Sequence, residues 1–244
     1  MTIDLNCDMG EGMLTDAQIM PFISSANIAC GGHAGDANTM QKTIQLALQH
    51  QVAIGAHPSY PDRENFGRKE INLPLDTIIE QVQMQIYTIK ELAEREGAVL
   101  HHIKPHGALY NTAARDTQVA QAIVQAIKSV APFCKVVGLP GSVFEEVCIS
   151  EGLTFFAEGF ADRTYTEEGK LTPRSEPNAM IHSPEAAVEQ VIQMIERKQV
   201  KSTQGNWLNM PVKTICIHGD GANAVDFAKA IHSALKEKNI SIHH

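Results

Sequence analysis

The chain is poor in anything that would staple it or anchor it. Its five cysteines (Cys7, Cys30, Cys134, Cys148 and Cys216) are odd in number, far apart and never in a C-x-x-C pair. A disulfide framework and a structural zinc site are therefore not expected. Cys7, Cys30 and Cys216 lie in apolar runs and read as small buried residues. There is no run of about 18 apolar residues, so no membrane span is expected. The opening Met-Thr-Ile-Asp-Leu-Asn lacks the basic start and apolar stretch of a signal peptide. A reducing cytoplasm fits these absences. No block of about five like charges occurs. With Lys+Arg 20 against Asp+Glu 28, the net charge of −8 argues against nucleic acid as a partner. No G-x-x-x-x-G-K-[ST] loop, strand-linked G-x-G-x-x-G, G-x-S-x-G elbow or H-E-x-x-H helix is present. Neither an internal repeat nor a low-complexity tract is evident.

What is there is a regular alternation. Short apolar runs at Ile3–Asp8, Ala26–Cys30, Val52–His57, Val99–Lys104, Lys135–Leu139, Leu153–Glu158 and Lys213–His218 read as strands. Helical patterns separate them: Asp16–Ser24, Ala37–His50, Leu75–Glu96, Asp116–Val130, Ser142–Glu151, Pro184–Gln199 and Ala222–Lys238. The helix from Leu75 has Pro74 before it and Gly97 after it. Ser183-Pro184 reads as an N-cap followed by proline at the first helical position. Seven strands alternating with helices imply a parallel sheet with right-handed crossovers. The 244 residues suit a single β/α-barrel domain over 1–244. A barrel is favoured over an open sheet because polar residues end the first, second, third, fourth, sixth and seventh strands. An open sheet gathers its site at one switch point, whereas a barrel draws residues from many strands to one face.

Those strand ends carry the candidate chemistry. Asp8 and Glu11 flank Gly10, and two carboxylates in one turn can share a metal or separate their pKa values for acid and base roles. His33 and Asp36 sit among Gly31, Gly32 and Gly35, where backbone can approach a ligand. A cation-binding pair, or an Asp that fixes a His tautomer, are both open. Asp36 is equally placed to cap the helix from Ala37. His57 precedes Pro58, which holds its backbone extended. Lys104, His106 and Tyr110 form a second cluster, in which Lys104 could hold an anionic group. His101 and His102 are adjacent on a strand and so face opposite sides, which makes at least one of them structural. Asp162, Arg163 and Tyr165, then Arg174 and Ser175, lie in one long connection (159–182). Arg68 and Lys69 lie in another (58–74). Both connections read as covers or binding loops over a pocket, with the arginines suited to a carboxylate or phosphate. His218 and Asp220 frame Gly219. If a metal is bound, Asp8, His33 and His57 are its candidate ligands.

The segments Asp4-Leu-Asn-Cys-Asp-Met-Gly-Glu-Gly12, Ser25-Ala-Asn-Ile-Ala-Cys-Gly-Gly-His-Ala-Gly-Asp36, Gly55-Ala-His-Pro-Ser-Tyr-Pro-Asp62, Phe66-Gly-Arg68, Lys104-Pro-His-Gly-Ala-Leu-Tyr-Asn111, Phe160-Ala-Asp-Arg163, Pro173-Arg-Ser175 and His218-Gly-Asp220 together resemble the LamB/YcsF family, in order along almost the whole chain. The resemblance implies a distorted seven-stranded β/α (TIM-like) barrel of the glycoside hydrolase/deacetylase kind. It also implies a share in an ATP-dependent 5-oxoprolinase, which opens 5-oxo-L-proline to L-glutamate with ATP and Mg, and partnership with that enzyme's subunits B and C. On that reading Asp8, His57, His106 and Lys104 are catalytic. The substrate would be held by Glu11, His33, Asp36, Arg68, Tyr110, Asp162, Arg163, Arg174, Ser175, His218 and Asp220. Two other classes of function compete: a metal-dependent amide or carbohydrate deacetylase, and a non-catalytic lactam-binding regulatory subunit. Self-association into a homo-oligomer is left open.

Overall fold

A computed structural model of the chain describes residues 1–221 and 223–244. Seven parallel strands close on themselves: β1 (Thr2–Met9), β2 (Ser25–Ala29), β3 (Ala53–His57), β4 (Leu100–Ile103), β5 (Lys135–Gly138), β6 (Phe155–Phe160) and, after a short hairpin, β9 (Thr214–Ile217). Each pairs with the next, and β9 closes the barrel by pairing with both β6 and β1. These are the seven apolar runs read from the sequence. The hairpin of β7 (Gln199–Lys201) and β8 (Trp207–Asn209) is antiparallel and stands outside the barrel. A two-residue strand, β10 (Ser241–Ile242), extends the sheet beside the start of β1.

Helices wrap the outside: α1 (Asp16–Ile19), α2 (Ala37–Gln49), α3 (Leu75–Arg95), α4 (Gly107–Ala113), α5 (Thr117–Val130), α6 (Val143–Ser150), α7 (Pro184–Ile192) and α8 (Ala224–Glu237). The expected start of the last helix, Ala222, lies outside the described residues. The pattern at 16–24 gives one α turn followed by a 3₁₀ turn at Met20–Phe22, with Pro21 inside it. The pattern at 184–199 changes to a π turn over Gln193–Arg197, ending at left-handed Lys198. Helix α3 lays Ile78, Val82, Ile86 and Ile89 on the barrel, each fully buried Ile contributing about 1.5–3 kcal/mol. Its buried Gln85 both donates to the Ser59 carbonyl (2.8 Å) and accepts from the Ser59 amide (3.0 Å), tying the segment after β3 to the helix. Among the described residues, no helix is long and apolar enough to cross a membrane.

The barrel interior departs from the branched apolar layers usual in such folds. Side chains alternate along a strand, and β1 sends Asp4, Asn6 and Asp8 to one side. Asp4 accepts from Ser24, Ser25 and Thr214 at 2.6–2.7 Å. Asn6 donates to Thr214 (2.7 Å) and Glu158 (3.0 Å), and Asn27 donates to Asn6 (2.7 Å) and Asp8 (2.8 Å). Asp8, Asn27, Gly55 and His102 form one row across β1 to β4. A Cβ at Gly55 would stand 2.1 Å from His102 Nε2. The glycine is what lets the imidazole cross β3 and reach Asn27 on β2, at 2.8 Å.

Candidate active site

The C-terminal ends of the strands open into a cavity of about 480 Å³. At its floor, Lys104 Nζ contacts Asp8 (3.0 Å), Glu158 (2.8 Å) and Asn6 (3.2 Å). His57 Nε2 stands 3.4 Å from Asp8 Oδ2. Burial works to raise the Asp8 pKa, but His57 and Lys104 together outweigh it and hold the carboxyl well below the usual range. Burial likewise opposes the charge on Lys104, yet Asp8, Cys216 and Glu158 keep it raised and cationic. Both groups are therefore ionised at neutral pH.

Beside this pair, Glu11, His33, His57 and His106 meet, one donor atom from each lying within 4.8 Å of the others. Burial, reinforced by Asp8, lifts Glu11 to about 7. Burial lowers His33 to about 4. It also lowers His106, with His57 and His33 adding to the effect. Gly67 explains part of the Phe66-Gly-Arg68 motif. It has φ +64°, and a Cβ there would lie 2.9 Å from the His33 Cβ and 3.0 Å from the His106 ring.

Of the residues proposed from sequence, Asp8, Glu11, His57, Arg68, Lys104, His106, Tyr110, Arg163, Arg174, His218 and Asp220 line the cavity. Arg68 pairs with Asp220 at the rim. His218 is held by Asp162, which sits behind it with both carboxylate oxygens at 2.9 Å. His33 is buried behind Glu11 rather than facing the cavity. Two expectations are corrected. Asp36 is exposed and spends its carboxylate capping α2 through the Thr39 amide (2.8 Å), away from the cavity. Ser175 is exposed and points outside the cavity, although its neighbour Arg174 reaches in. Arg163 reaches the cavity wall, but its guanidinium donates to the carbonyls of Thr172 (2.5 Å) and Ala179 (3.3 Å) and so fastens the long connection. The expected metal trio is also redistributed. His33 and His57 group with Glu11 and His106, whereas Asp8 groups with Cys216 and His218.

Sequence reasoning missed Asn6, Asn27, His102 and Glu158 as parts of the site. The signal for the first was the alternation Asp4, Asn6, Asp8 against Leu5, Cys7, Met9. Glu158 was read as a strand terminus, but β6 runs on to Phe160 and leaves Glu158 fully buried inside the barrel. Arg115, on the turn after α4, also lines the cavity.

The closed parallel barrel with a polar mouth places the molecule in the class of β/α barrels that carry a site at the C-terminal ends of their strands. The same fold is found in T48 deacetylase (15% identity, 99% of this chain and 86% of the other, TM-score 0.51). It is also found in a peptidoglycan N-acetylglucosamine deacetylase (15% identity, 99% and 84%, TM-score 0.50). Within that class the chain belongs to the LamB/YcsF family, whose sequence profile matches residues 3–244. The crystal structure of a lactam utilization protein from Thermus thermophilus is 38% identical to it, over 100% of this chain and 99% of the other, with a TM-score of 0.95.

Proposed function

We propose that the chain is the lactam-opening subunit of an ATP-dependent 5-oxoprolinase, converting 5-oxo-L-proline to L-glutamate with hydrolysis of ATP. Subunits B and C of that enzyme are its partners and supply the site for ATP and Mg. The observation that carries this reading is the ionised Asp8–Lys104 pair, with His57 against it, on the floor of a cavity with arginines at its rim. Kinship with a lactam utilization protein supports the choice of substrate. The five buried, free thiols suit a reducing compartment, and we place the chain in the cytoplasm.

A lactam amide is stabilised by resonance and resists water. In the complex the γ-phosphoryl group of ATP would pass to the amide oxygen with ADP leaving. Water would add to the activated carbon, the ring nitrogen would leave as the amine to give an acyl phosphate, and a second water would release glutamate and inorganic phosphate. The substrate carboxylate suits Arg68 or Arg174, whose guanidinium groups can grip it through two hydrogen bonds. Asp8 is placed to take a proton from water, and Lys104 to stabilise charge that develops on oxygen. The ring of His57, fixed through Nδ1 on the Lys104 carbonyl (2.7 Å), presents Nε2 toward the reacting groups.

The test is 5-oxoproline-dependent ATP hydrolysis with glutamate release, for this chain, for subunits B and C, and for the mixture. Coupled turnover only in the full mixture is expected. Asp8→Asn should then lower turnover by about 10²–10⁴, the usual contribution of a positioned proton-transfer group. Full turnover by the complex with a folded Asp8→Asn chain would refute the assignment. One observation favours a second reading, a metal-dependent amide or carbohydrate deacetylase: the donor group of Glu11 and three histidines. Hydrolysis without ATP or partners, abolished by a chelator, would select it.

A further inference from the structure

The histidine tautomers at the cavity floor are fixed by their neighbours. His57 Nδ1 is 2.7 Å from the Lys104 carbonyl oxygen, and His106 Nε2 is 2.9 Å from that of Phe66. A carbonyl oxygen can only accept, so both of these nitrogens carry the N–H. With both rings neutral, the state in which they could bind a cation, each presents a lone pair at its other nitrogen. Those nitrogens, His57 Nε2 and His106 Nδ1, face each other at 2.9 Å. Two lone pairs at that distance repel unless a positive charge lies between them. Glu11 Oε1 approaches the same point, 3.5 Å from His106 Nδ1. The ammonium of Lys104 is already shared by the carboxyls of Asp8 and Glu158, whereas the ion-pair contacts of Glu11 among the described residues are to the rings of His33 and His106.

We propose that Glu11, His57 and His106 bind one divalent transition-metal ion, with zinc the best match. Bonds of about 2.0–2.2 Å to tetrahedral zinc put neighbouring donor atoms about 3.3 Å apart. The observed separations of 2.9 and 3.5 Å bracket that value. Two imidazoles suit zinc and its neighbours better than magnesium, which prefers oxygen. His33 is the outer partner. Its Nε2 lies 2.9 Å from Glu11 Oε1, where only a donated N–H is favourable, and its ring stacks on His106 at 3.7 Å. Such outer partners orient the ligands of a metal. Three protein ligands leave the fourth position toward the cavity, as in catalytic rather than structural zinc sites. An ion there would polarise an amide carbonyl or acidify a water. The assignment rests on these four side chains and is independent of which amide the cavity receives.

Chelator-dialysed full-length protein should be titrated with Zn²⁺ and, separately, with Co²⁺. Stoichiometry is followed by elemental analysis, and geometry by the visible bands of low-coordinate cobalt. One ion per chain is expected. Glu11→Gln, His57→Gln and His106→Gln should each weaken binding by at least about 100-fold. His33→Gln should weaken it by about 10–100-fold, the range seen for outer partners. Circular dichroism checks that each variant is folded, and the wild-type titration stands even where one is not. Wild-type protein that takes up no stoichiometric ion in the micromolar range overturns the proposal and leaves a proton shared between His57 and His106. Undiminished binding in folded Glu11→Gln and His106→Gln chains overturns it equally.

Discussion

Lys104→Met keeps most of the side-chain length and removes the ammonium from the barrel floor. Lys104 is 2% exposed, and its partners Asp8 and Glu158 are 5% and 0% exposed. Losing one member of a buried ion pair costs about 3–5 kcal/mol. Here two carboxylates lose their shared cation, which favours the upper part of that range. The variant's only relief is to protonate a carboxyl. At pH 7.5, forcing a proton onto a group with an ordinary pKa near 4 costs about 1.4 kcal/mol per unit, or about 5 kcal/mol, so this route sets a similar ceiling. The sign follows from linkage. In the variant the folded carboxyl pKa is raised above its unfolded value, so the penalty applies at high pH and shrinks as pH falls. At pH 5.5 it should be about 2–3 kcal/mol smaller than at pH 7.5. Wild type has its own slope in that window, from the raised Glu11 and the lowered His33, His101, His102 and His106, and the variant shares it, so the penalty is read as the difference between the two proteins at each pH. The raised pKa of Lys104 stabilises below about 10.4, and the lowered pKa of Asp8 stabilises above about 3.9. Urea unfolding of chelator-dialysed protein by circular dichroism at both pH values measures this. A 3 kcal/mol loss corresponds to about 6–12 °C in Tm. Adding Glu158→Gln should recover part of the loss, a coupling expected of groups in direct contact. A penalty below about 1 kcal/mol, or one identical at both pH values, would refute the reasoning.

Other outcomes follow from single contacts. Gly55→Ala drives a Cβ into the His102 ring and should cost at least about 1–3 kcal/mol in urea unfolding; a neutral result would mean that the ring does not lie across β3. In Asp162, burial opposes ionisation but His218 outweighs it and lowers the pKa, so the ionised carboxyl stabilises the fold above its unfolded pKa near 3.9. Asp162→Asn should therefore be less stable than wild type at pH 7, with the two converging as pH falls below about 4; a constant difference across that range would contradict the pairing. Arg163→Ala releases the carbonyls of Thr172 and Ala179 and should speed proteolysis within residues 164–180 while β6 stays protected; unchanged cleavage would show that the arginine does not fasten this segment.

The seven strands were legible because each is a short apolar run bounded by turn residues, and the strand-end rule then located Asp8, His57, Lys104 and His106. What was not legible follows from the unusual interior. Buried polar residues on a barrel strand alternate with apolar ones just as solvent-facing residues do, so Asn6 and Asn27 gave the pattern of a half-exposed strand. Only closure of the barrel turns that pattern inward. Asp36 was overread because it adjoins His33 in a glycine-rich motif, although helix capping alone accounts for it. Helix α4 begins directly after His106, which hid it inside a motif read as a cluster of site residues, and the β7–β8 hairpin is too short for its periodicity to register.

The polar interior also explains how Asp8 comes to be aimed. Lys135 can only donate, and its ammonium lies 2.9 Å from His101 Nε2, so His101 holds its proton on Nδ1. That nitrogen faces His102 Nδ1 at 3.1 Å, which places the His102 proton on Nε2, 2.8 Å from Asn27 Oδ1. Burial, with Lys135 adding to it, lowers His101 to about 4, and burial lowers His102 too, so both rings are neutral as this order requires. With its oxygen engaged, Asn27 must turn its amide nitrogen to Asp8 and Asn6. Each orientation is dictated by the one before it, from Lys135 on β5 inward to the carboxylate. Burying such a row contributes little net stability, since desolvation offsets much of the gain. Its consequence is positional: Asp8 receives one amide hydrogen bond and one ammonium on Oδ1, and its Oδ2 is left toward His57 and the cavity.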